Sequence, residues 1–165
     1  MDNRFLFNAV VSSYYDIDTP ENYEEFEPQI YLENVDLFSD EIGIDYDRLF
    51  DAVQKQLNLE KPEISQVMQH FEDNSNSNSD EYVTIKPDRV LQCTGLKDKN
   101  GKLIYEGDIL QQPQLPHKVV CEWYKDGFWL NGFINGAKRE LRNMHNWYEV
   151  IGNIYENKEL LESEA

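Results

Sequence analysis

The chain has 165 residues, of which 40% are hydrophobic and 13% aromatic, enough apolar surface for a packed core in one or two small domains. No apolar run approaches the roughly 18 residues that span a bilayer, and the acidic start Met1-Asp2-Asn3 is unlike a signal peptide. We therefore expect neither a transmembrane nor a secreted protein. Only two cysteines, Cys93 and Cys121, argue against a disulfide scaffold and fit a reducing cytoplasm.

Charge divides the chain into two halves. The formal net charge is −17, and residues 1–81 carry 20 acidic against 4 basic side chains, whereas residues 82–165 carry 12 against 11. A polar stretch without apolar residues, 73–80, lies between them and predicts a flexible linker or loop. The composition thus predicts an acidic N-terminal region over 1–72 and a second domain over 81–165.

The acidic half begins with extended segments. Aromatic and β-branched residues from Arg4 to Tyr15 predict a strand with Phe5, Phe7 and Ala9 on one side. The acidic stretch from 16 to 28, broken by two prolines, predicts a loop, and the residues from 29 to 38 predict a second strand.

Two helices are predicted next. The first follows Asp45 as N-cap and repeats apolar residues at helical spacing up to Leu57. The second begins near Pro62, which is favoured in a first helical turn. Its apolar stripe runs from Ile64 to Phe71 and indicates a core or partner-facing surface rather than a ligand site.

The acidic residues after the first strand suggest an interaction surface. A calcium loop fits poorly, because Pro20 and Glu21 stand where such a loop needs a ligand and a glycine. Carboxylates spaced along a folded surface can instead imitate the phosphates of DNA, although net charge alone also serves solubility. The candidate residues for this surface are Asp16, Asp18, Glu21, Glu24, Glu25 and Glu27.

The second half has a β pattern. Short alternating segments lie between turn signals such as Asn100-Gly101 and Asp126-Gly127, where positive φ is tolerated. Lys118 to Tyr124 is expected to place Val119, Cys121 and Trp123 on one face of a strand. Strands at these intervals predict a small, strongly bent antiparallel sheet or an SH3-like barrel.

Two motifs in this half resemble a known family. Residues 94–110 read TGLKDKNGKLIYEGDIL and residues 149–161 read EVIGNIYENKELL, with Lys158 where the family has proline. Together they resemble the YopX-like family of phage and prophage proteins over about residues 90–161. The resemblance implies a β-rich C-terminal region and a phage-related setting in the bacterial cytoplasm, and it implies no particular activity.

No catalytic, metal or cofactor site is predicted. Cys93 and Cys121 with His117 or His145 would be the nearest approach to a nucleophilic or zinc site, but no CxxC or HxxxH spacing supports one. The sequence also contains no P-loop, GxGxxG or GxSxG motif.

Within the first motif, Tyr105, Glu106 and Asp108 are candidates for lining a cleft, although turn chemistry explains them without a ligand. Trp123, Phe128, Trp129 and the segment 145–148 supply aromatic area that is expected to be mostly core. Any exposed part would provide an anchor for a partner or a second copy.

The sequence therefore predicts an α+β fold, with strands and two short helices in the acidic part and an SH3-like or bent barrel in the β-rich part. The expected function is that of a non-catalytic phage or prophage accessory protein that binds protein, either itself or a host factor. Direct nucleic-acid binding, membrane contact and a cofactor are not expected. The alternative is an acidic DNA mimic that inhibits a host nucleic-acid-binding enzyme; a hydrolase would need a concave pocket with perturbed titrating groups.

Overall fold

A computed structural model describes residues 7–12, 15–17, 24–26, 29–38, 40–57, 59, 61–77, 79, 81–133 and 135–162. The chain divides into two compact units, Phe7–Val90 and Leu91–Ala165. The units are called the N-terminal and the C-terminal unit.

The described part of the N-terminal unit contains six strands and two helices. The strands are β1 (Phe7–Ser12), β2 (Tyr15–Ile17), β3 (Glu24–Phe26), β4 (Gln29–Phe38), β5 (Glu41–Asp45) and β6 (Tyr82–Ile85). Within this unit β6, β5, β4 and β1 form an antiparallel sheet in that order. The strand predicted over 29–38 is confirmed, and β1 lies inside the predicted first strand, of which Phe5 is outside the described residues.

The prediction of a loop over 16–28 is wrong where β2 pairs with β3. The two short strands form an antiparallel hairpin in which Asp16 is opposite Glu25 and Ile17 is opposite Glu24. Aromatic and branched residues at Tyr15, Ile17 and Phe26 favour extended backbone, and the density of acidic residues between them concealed this pattern.

Both predicted helices are present, as α1 (Tyr46–Leu57) and α2 (Lys61–Asp73). Asp45 caps α1, because its Oδ1 accepts hydrogen bonds from the backbone N–H groups of Asp47 (3.1 Å) and Arg48 (3.3 Å). The apolar stripe of α2 is buried together with side chains of α1 and of the sheet, so it belongs to the core. The stripe consists of Ile64, Val67, Met68 and Phe71.

The polar stretch after α2 is hydrogen-bonded to β6. The N–H of Asn76 donates to Oγ1 of Thr84 (2.8 Å), and the N–H of Thr84 donates to Oγ of Ser75 (2.9 Å). The loop thereby occupies part of the outer edge of the terminal strand. Because β6 pairs with β5, the division between the compact units falls at Val90 and Leu91 rather than at the predicted stretch 73–80.

The C-terminal unit consists mainly of short antiparallel strands. They are β7 (Arg89–Lys97), which spans the division, β8 (Leu103–Tyr105), β9 (Asp108–Gln111), β10 (Lys118–Tyr124), β11 (Gly127–Asn131), β12 (Arg139–Glu140) and β13 (Glu149–Asn153). Strands β7 and β8 pair as a hairpin, and the others form a sheet in the order β12-β11-β10-β9-β13. Two 3-10 turns, Leu141–Asn143 and His145–Trp147, precede β13, and α3 (Glu159–Glu162) follows it.

One hydrophobic core fills this unit. The fully buried members are Ile104, Leu110, Val119, Cys121, Leu130, Leu141 and Tyr148. The fold is thus β-rich and α+β, as predicted. The five-stranded order is that of an open sheet with β12 and β13 at its ends, so a closed SH3-like barrel is not confirmed among the described residues.

In the part of the chain that the structure describes, no helix has the length and apolar character needed to cross a membrane.

Candidate functional site

The loop between β7 and β8 is organised by the carboxylate of Asp98, which is 5% exposed. Its Oδ1 accepts hydrogen bonds from the N–H groups of Asn100 (2.8 Å) and Lys102 (2.9 Å). Its Oδ2 accepts one from the N–H of Val150 (2.9 Å), on β13. Asp98 therefore joins the two sequence motifs, 94–110 and 149–161, to each other.

Two further contacts strengthen this junction. The N–H of Lys99 donates to the carbonyl of Tyr148 (2.9 Å), and the Lys99 ammonium lies 2.9 Å from a carboxylate oxygen of Glu149. The motif loop therefore has a structural role, because Asp98 and Lys99 connect it to β13 and to the residue before β13.

The candidate residues Tyr105, Glu106 and Asp108 lie at the turn between β8 and β9. Oδ2 of Asp108 accepts a hydrogen bond from the N–H of Tyr105 (2.8 Å), and the N–H of Glu106 donates to the carbonyl of Gln92 (3.1 Å). Tyr105 and Asp108 are buried. None of the three lines the groove described below, and a role in ligand binding stays a prediction.

The turn between β8 and β9 requires glycine at position 107. Its φ of +87° is in the left-handed region, and a Cβ there would lie 2.9 Å from the ring of Tyr155. Its N–H donates to the carbonyl of Cys121 (2.8 Å), and its carbonyl accepts from the N–H of Ile154 (3.0 Å). The turn therefore connects β10 with the segment after β13.

The β10–β11 hairpin carries aromatic side chains at its tip. Trp123 and Phe128 are opposite each other in the register and pack edge to face, with ring centroids 5.0 Å apart. The face predicted for Val119, Cys121 and Trp123 is buried at the first two, whereas Trp123 is 51% exposed. The core ends before the tip of the hairpin, which leaves the indole uncovered.

A groove of about 410 Å³ lies beside these rings, within the size range of ligand sites. It is called the aromatic groove, and it is lined by Thr94, Leu96, Trp123, Asp126, Gly127, Phe128, Trp129, Glu140 and Arg142. The aromatic members Trp123, Phe128 and Trp129 were predicted from the sequence as aromatic area. Thr94 and Leu96 belong to the first sequence motif, and Glu140 and Arg142 come from the segment after β11, so no local pattern predicted that these four residues lie beside the hairpin.

The other face of the hairpin holds cations over an aromatic ring. The ammonium groups of Lys138 and Lys125 lie 4.2 Å and 5.3 Å from the ring centre of Tyr124, and Lys138 also forms an ion pair with Glu122. The ring of Tyr124 packs edge to face on Trp129, with centroids 5.9 Å apart. This face is therefore occupied by interactions within the unit.

The cysteines and histidines do not assemble into a reactive site. Both thiols are free and buried, and burial raises the pKa of Cys121 well above its usual value, which keeps it protonated. His145 Nδ1 lies 2.5 Å from the carbonyl oxygen of Lys97, and His117 packs against Phe133. Among the described residues, no group of three His, Cys, Asp or Glu side chains is placed to hold a metal ion.

A polar pocket of about 330 Å³ lies in the N-terminal unit, between α2, β6 and the serine-rich loop. Its phenols are Tyr46, which donates to Glu72, and Tyr82, which donates to Asp36 (2.6 Å). Burial and the neighbouring carboxylate raise the pKa of Tyr46 and raise that of Tyr82 to about 12. Both phenols thus stay protonated and act as hydrogen-bond donors.

Acidic residues of the N-terminal unit are exposed along β4, β5 and α1. The exposed members are Glu33, Asp36, Asp40, Asp45, Asp47 and Asp51. Of the predicted interaction surface, Asp18, Glu21 and Glu27 lie outside the described residues. Asp16 is on β2 and Glu24 and Glu25 are on β3, so those three belong to one hairpin.

The chain is similar to a known protein family over most of its length. The sequence profile of the family described as YopX protein matches residues 48–162, beginning inside α1 and thus well before the two motifs. No curated protein matches the chain. Among solved structures, protein EF1440 from Enterococcus faecalis is similar over 93% of this chain and 78% of its own, with 21% identity and a TM-score of 0.35, a likeness that says nothing about function. Because the profile covers more than half of the chain, this protein belongs to the YopX family.

Proposed function

We propose that this YopX-family protein is a non-catalytic accessory protein of phage or prophage origin that acts in the bacterial cytoplasm by binding protein. The partner is a host factor or a second copy of the chain, and the binding surface is the aromatic groove. One observation carries the proposal: Trp123 is 51% exposed and lines a groove together with two further aromatic residues, Phe128 and Trp129.

The energetics favour a covered state for this surface. A tryptophan side chain buries about 150–250 Å² when it is fully covered. With half of that area exposed, covering Trp123 would contribute about 2–3 kcal/mol at roughly 25 cal/mol per Å². Aromatic side chains of this kind dominate the binding energy of many protein interfaces. The bent, SH3-like character predicted for this unit belongs to the same proposal and is supported by its short antiparallel strands.

The test is affinity capture from bacterial lysate with the full chain and with a Trp123→Ala variant. Trp147→Ala is the matched control, because Trp147 is 61% exposed and does not line the groove. We expect a partner, or the chain itself, that is retained by the control and lost by Trp123→Ala. Capture that is equal with both variants would contradict the groove as the binding surface.

The alternative proposal, an acidic DNA mimic, is supported by the exposed carboxylates of β4, β5 and α1. Carboxylates distributed over a folded surface present the charge that a basic nucleic-acid cleft attracts. Such binding would weaken steeply as salt rises, whereas binding through the aromatic groove would weaken little.

Charge neutralisation separates the two proposals. A Glu33→Gln/Asp51→Asn variant removes two exposed charges from the acidic surface, and Glu159→Gln/Glu162→Gln removes two from α3 as the control. For a mimic, a captured nucleic-acid enzyme should be released by duplex DNA and bind the first variant more weakly than the second. Equal binding of both variants would set the mimic aside.

A further inference from the structure

The aromatic groove lies where a sheet edge opens. Strand β12 pairs with β11 at Trp129 and Leu130 only, after which the chain leaves the sheet in the 3-10 turn that begins at Leu141. The groove is lined by the next two residues of β11, Gly127 and Phe128, and by Arg142 from the departing segment. An extended peptide is the kind of ligand that can continue a sheet at such an edge.

The floor of this groove is apolar and continuous with the core. Leu96 and Phe128 are partly buried and pack against the buried cluster of the C-terminal unit, and Trp123 packs on Phe128. The hydroxyl of Thr94 is engaged, since it donates to the carbonyl of Ile104 (2.8 Å). The floor therefore suits an aliphatic chain rather than a polar group.

The rim of the groove is charged, with a surplus of carboxylates. Asp126 and Glu140 are exposed on it, and Arg142 is the cation that the same lining holds. Tryptophan is the side chain whose face attracts a cation most strongly, and the nearby Tyr124 already holds two ammonium groups. A long basic side chain has both parts that this site accommodates, an apolar stem and a cationic end.

We propose that the aromatic groove binds an extended peptide segment of a partner protein through a lysine or arginine side chain. The stem lies on Leu96 and Phe128, and the cation lies beside the Trp123 indole and the carboxylates of Asp126 and Glu140. This inference rests on the proposed function and adds the chemistry of the partner.

The experiment is selection of peptides from a display library of random nine-residue sequences with the full chain as bait. The strongest peptide is then titrated, with tryptophan fluorescence as the signal, beside the same peptide carrying Gln at each Lys or Arg. We expect a basic residue in the selected peptides and binding about tenfold weaker for the Gln version.

Variants of the groove test the assignment of the charges. Asp126→Asn/Glu140→Gln should weaken the basic peptide about threefold to tenfold, whereas Arg142→Gln should strengthen it, because these charges have opposite signs. These positions are exposed, so the fold is retained, and Trp147→Ala should bind like the unchanged protein.

The outcomes distinguish the inference from the proposed function. Selected peptides that need Trp123 but carry no basic residue, or weaker binding in both charge variants, would overturn the inference and leave the groove as a binding site. Selection of no peptide would overturn the inference alone, because the proposed function also covers a folded partner that no nine-residue peptide represents. Peptide binding that Trp123→Ala does not change would contradict the aromatic groove as the binding surface and would overturn the inference with it.

Discussion

Replacing Asp98 by alanine should destabilise the C-terminal unit more than the removal of any exposed carboxylate would. The substitution leaves three backbone N–H groups, those of Asn100, Lys102 and Val150, without their acceptor. Hydrogen bonds to a charged group contribute about 1.5–3 kcal/mol each. Asn100 and Lys102 are exposed, so their N–H groups can form hydrogen bonds with water instead. We therefore expect the free energy of unfolding to fall by about 3–4 kcal/mol in total.

An asparagine at the same position should cost less. Asp98→Asn keeps one carbonyl oxygen in place and loses mainly the contact with Val150, for an expected loss of about 1–2 kcal/mol. Asp126→Ala is the control, because it removes a carboxylate from an exposed turn and should change the stability by no more than about 0.5 kcal/mol.

The assay is unfolding in urea followed by tryptophan fluorescence. All three tryptophans, at positions 123, 129 and 147, belong to the C-terminal unit, so the signal reports this unit alone. The change in free energy of unfolding is obtained from the shift of the midpoint at constant slope. An Asp98→Ala protein within about 0.5 kcal/mol of the unchanged one would refute the role of Asp98 as the junction of the two motifs.

Three other predictions follow from local contacts. Gly107→Ala should destabilise the protein by about 2–3 kcal/mol in the same assay, because position 107 combines a positive φ with a close contact to Tyr155. Gly101→Ala is also at positive φ but has open space around its Cβ, so it should cost about 1 kcal/mol. Equal losses for the two variants would contradict the packing argument. The raised pKa of Tyr82, about 12 in the folded chain against 10.0 without the fold, means that its stabilising effect is complete below pH 10 and is lost as the pH rises towards 12. Tyr82→Phe should therefore flatten the decline of stability between pH 10 and 12, and an unchanged decline would show that other groups cause it. Cys121 should react with a thiol reagent only after denaturant is added, because it is buried and protonated, and rapid labelling of the native protein at this position would contradict its burial.

The part of the fold that could be predicted is the part with a local physical cause. The cap at Asp45 and the spacing of Val67 and Phe71 specify the helices, because capping and amphipathic burial act within a few residues. The hairpin of β2 and β3 was missed because its local signal is weak. Its strands are only three residues long, and their acidic composition resembles that of a loop.

The aromatic groove was only half predictable. Any exposed aromatic area was expected to anchor a partner, but the sequence predicted only that Trp123 shares a strand face with Cys121 and that the aromatic area is mostly core. The alternation of a strand shows which face a side chain is on, but it does not show where along the strand the core ends. Trp123 is exposed because it lies at the tip of the hairpin, beyond the buried cluster.

By itself, the sequence determined the helices, most strands, the glycine turns and membership in the family, because each of these depends on residues that are close together in the chain. Only the tertiary structure decided that Asp98 holds Val150, 52 residues away, and that Leu96, Phe128 and Arg142 share one groove. A contact between distant residues depends on how the sheet pairs its strands and on which side chains fill the core. That choice is made by the packing of the whole unit, so no single segment contains it.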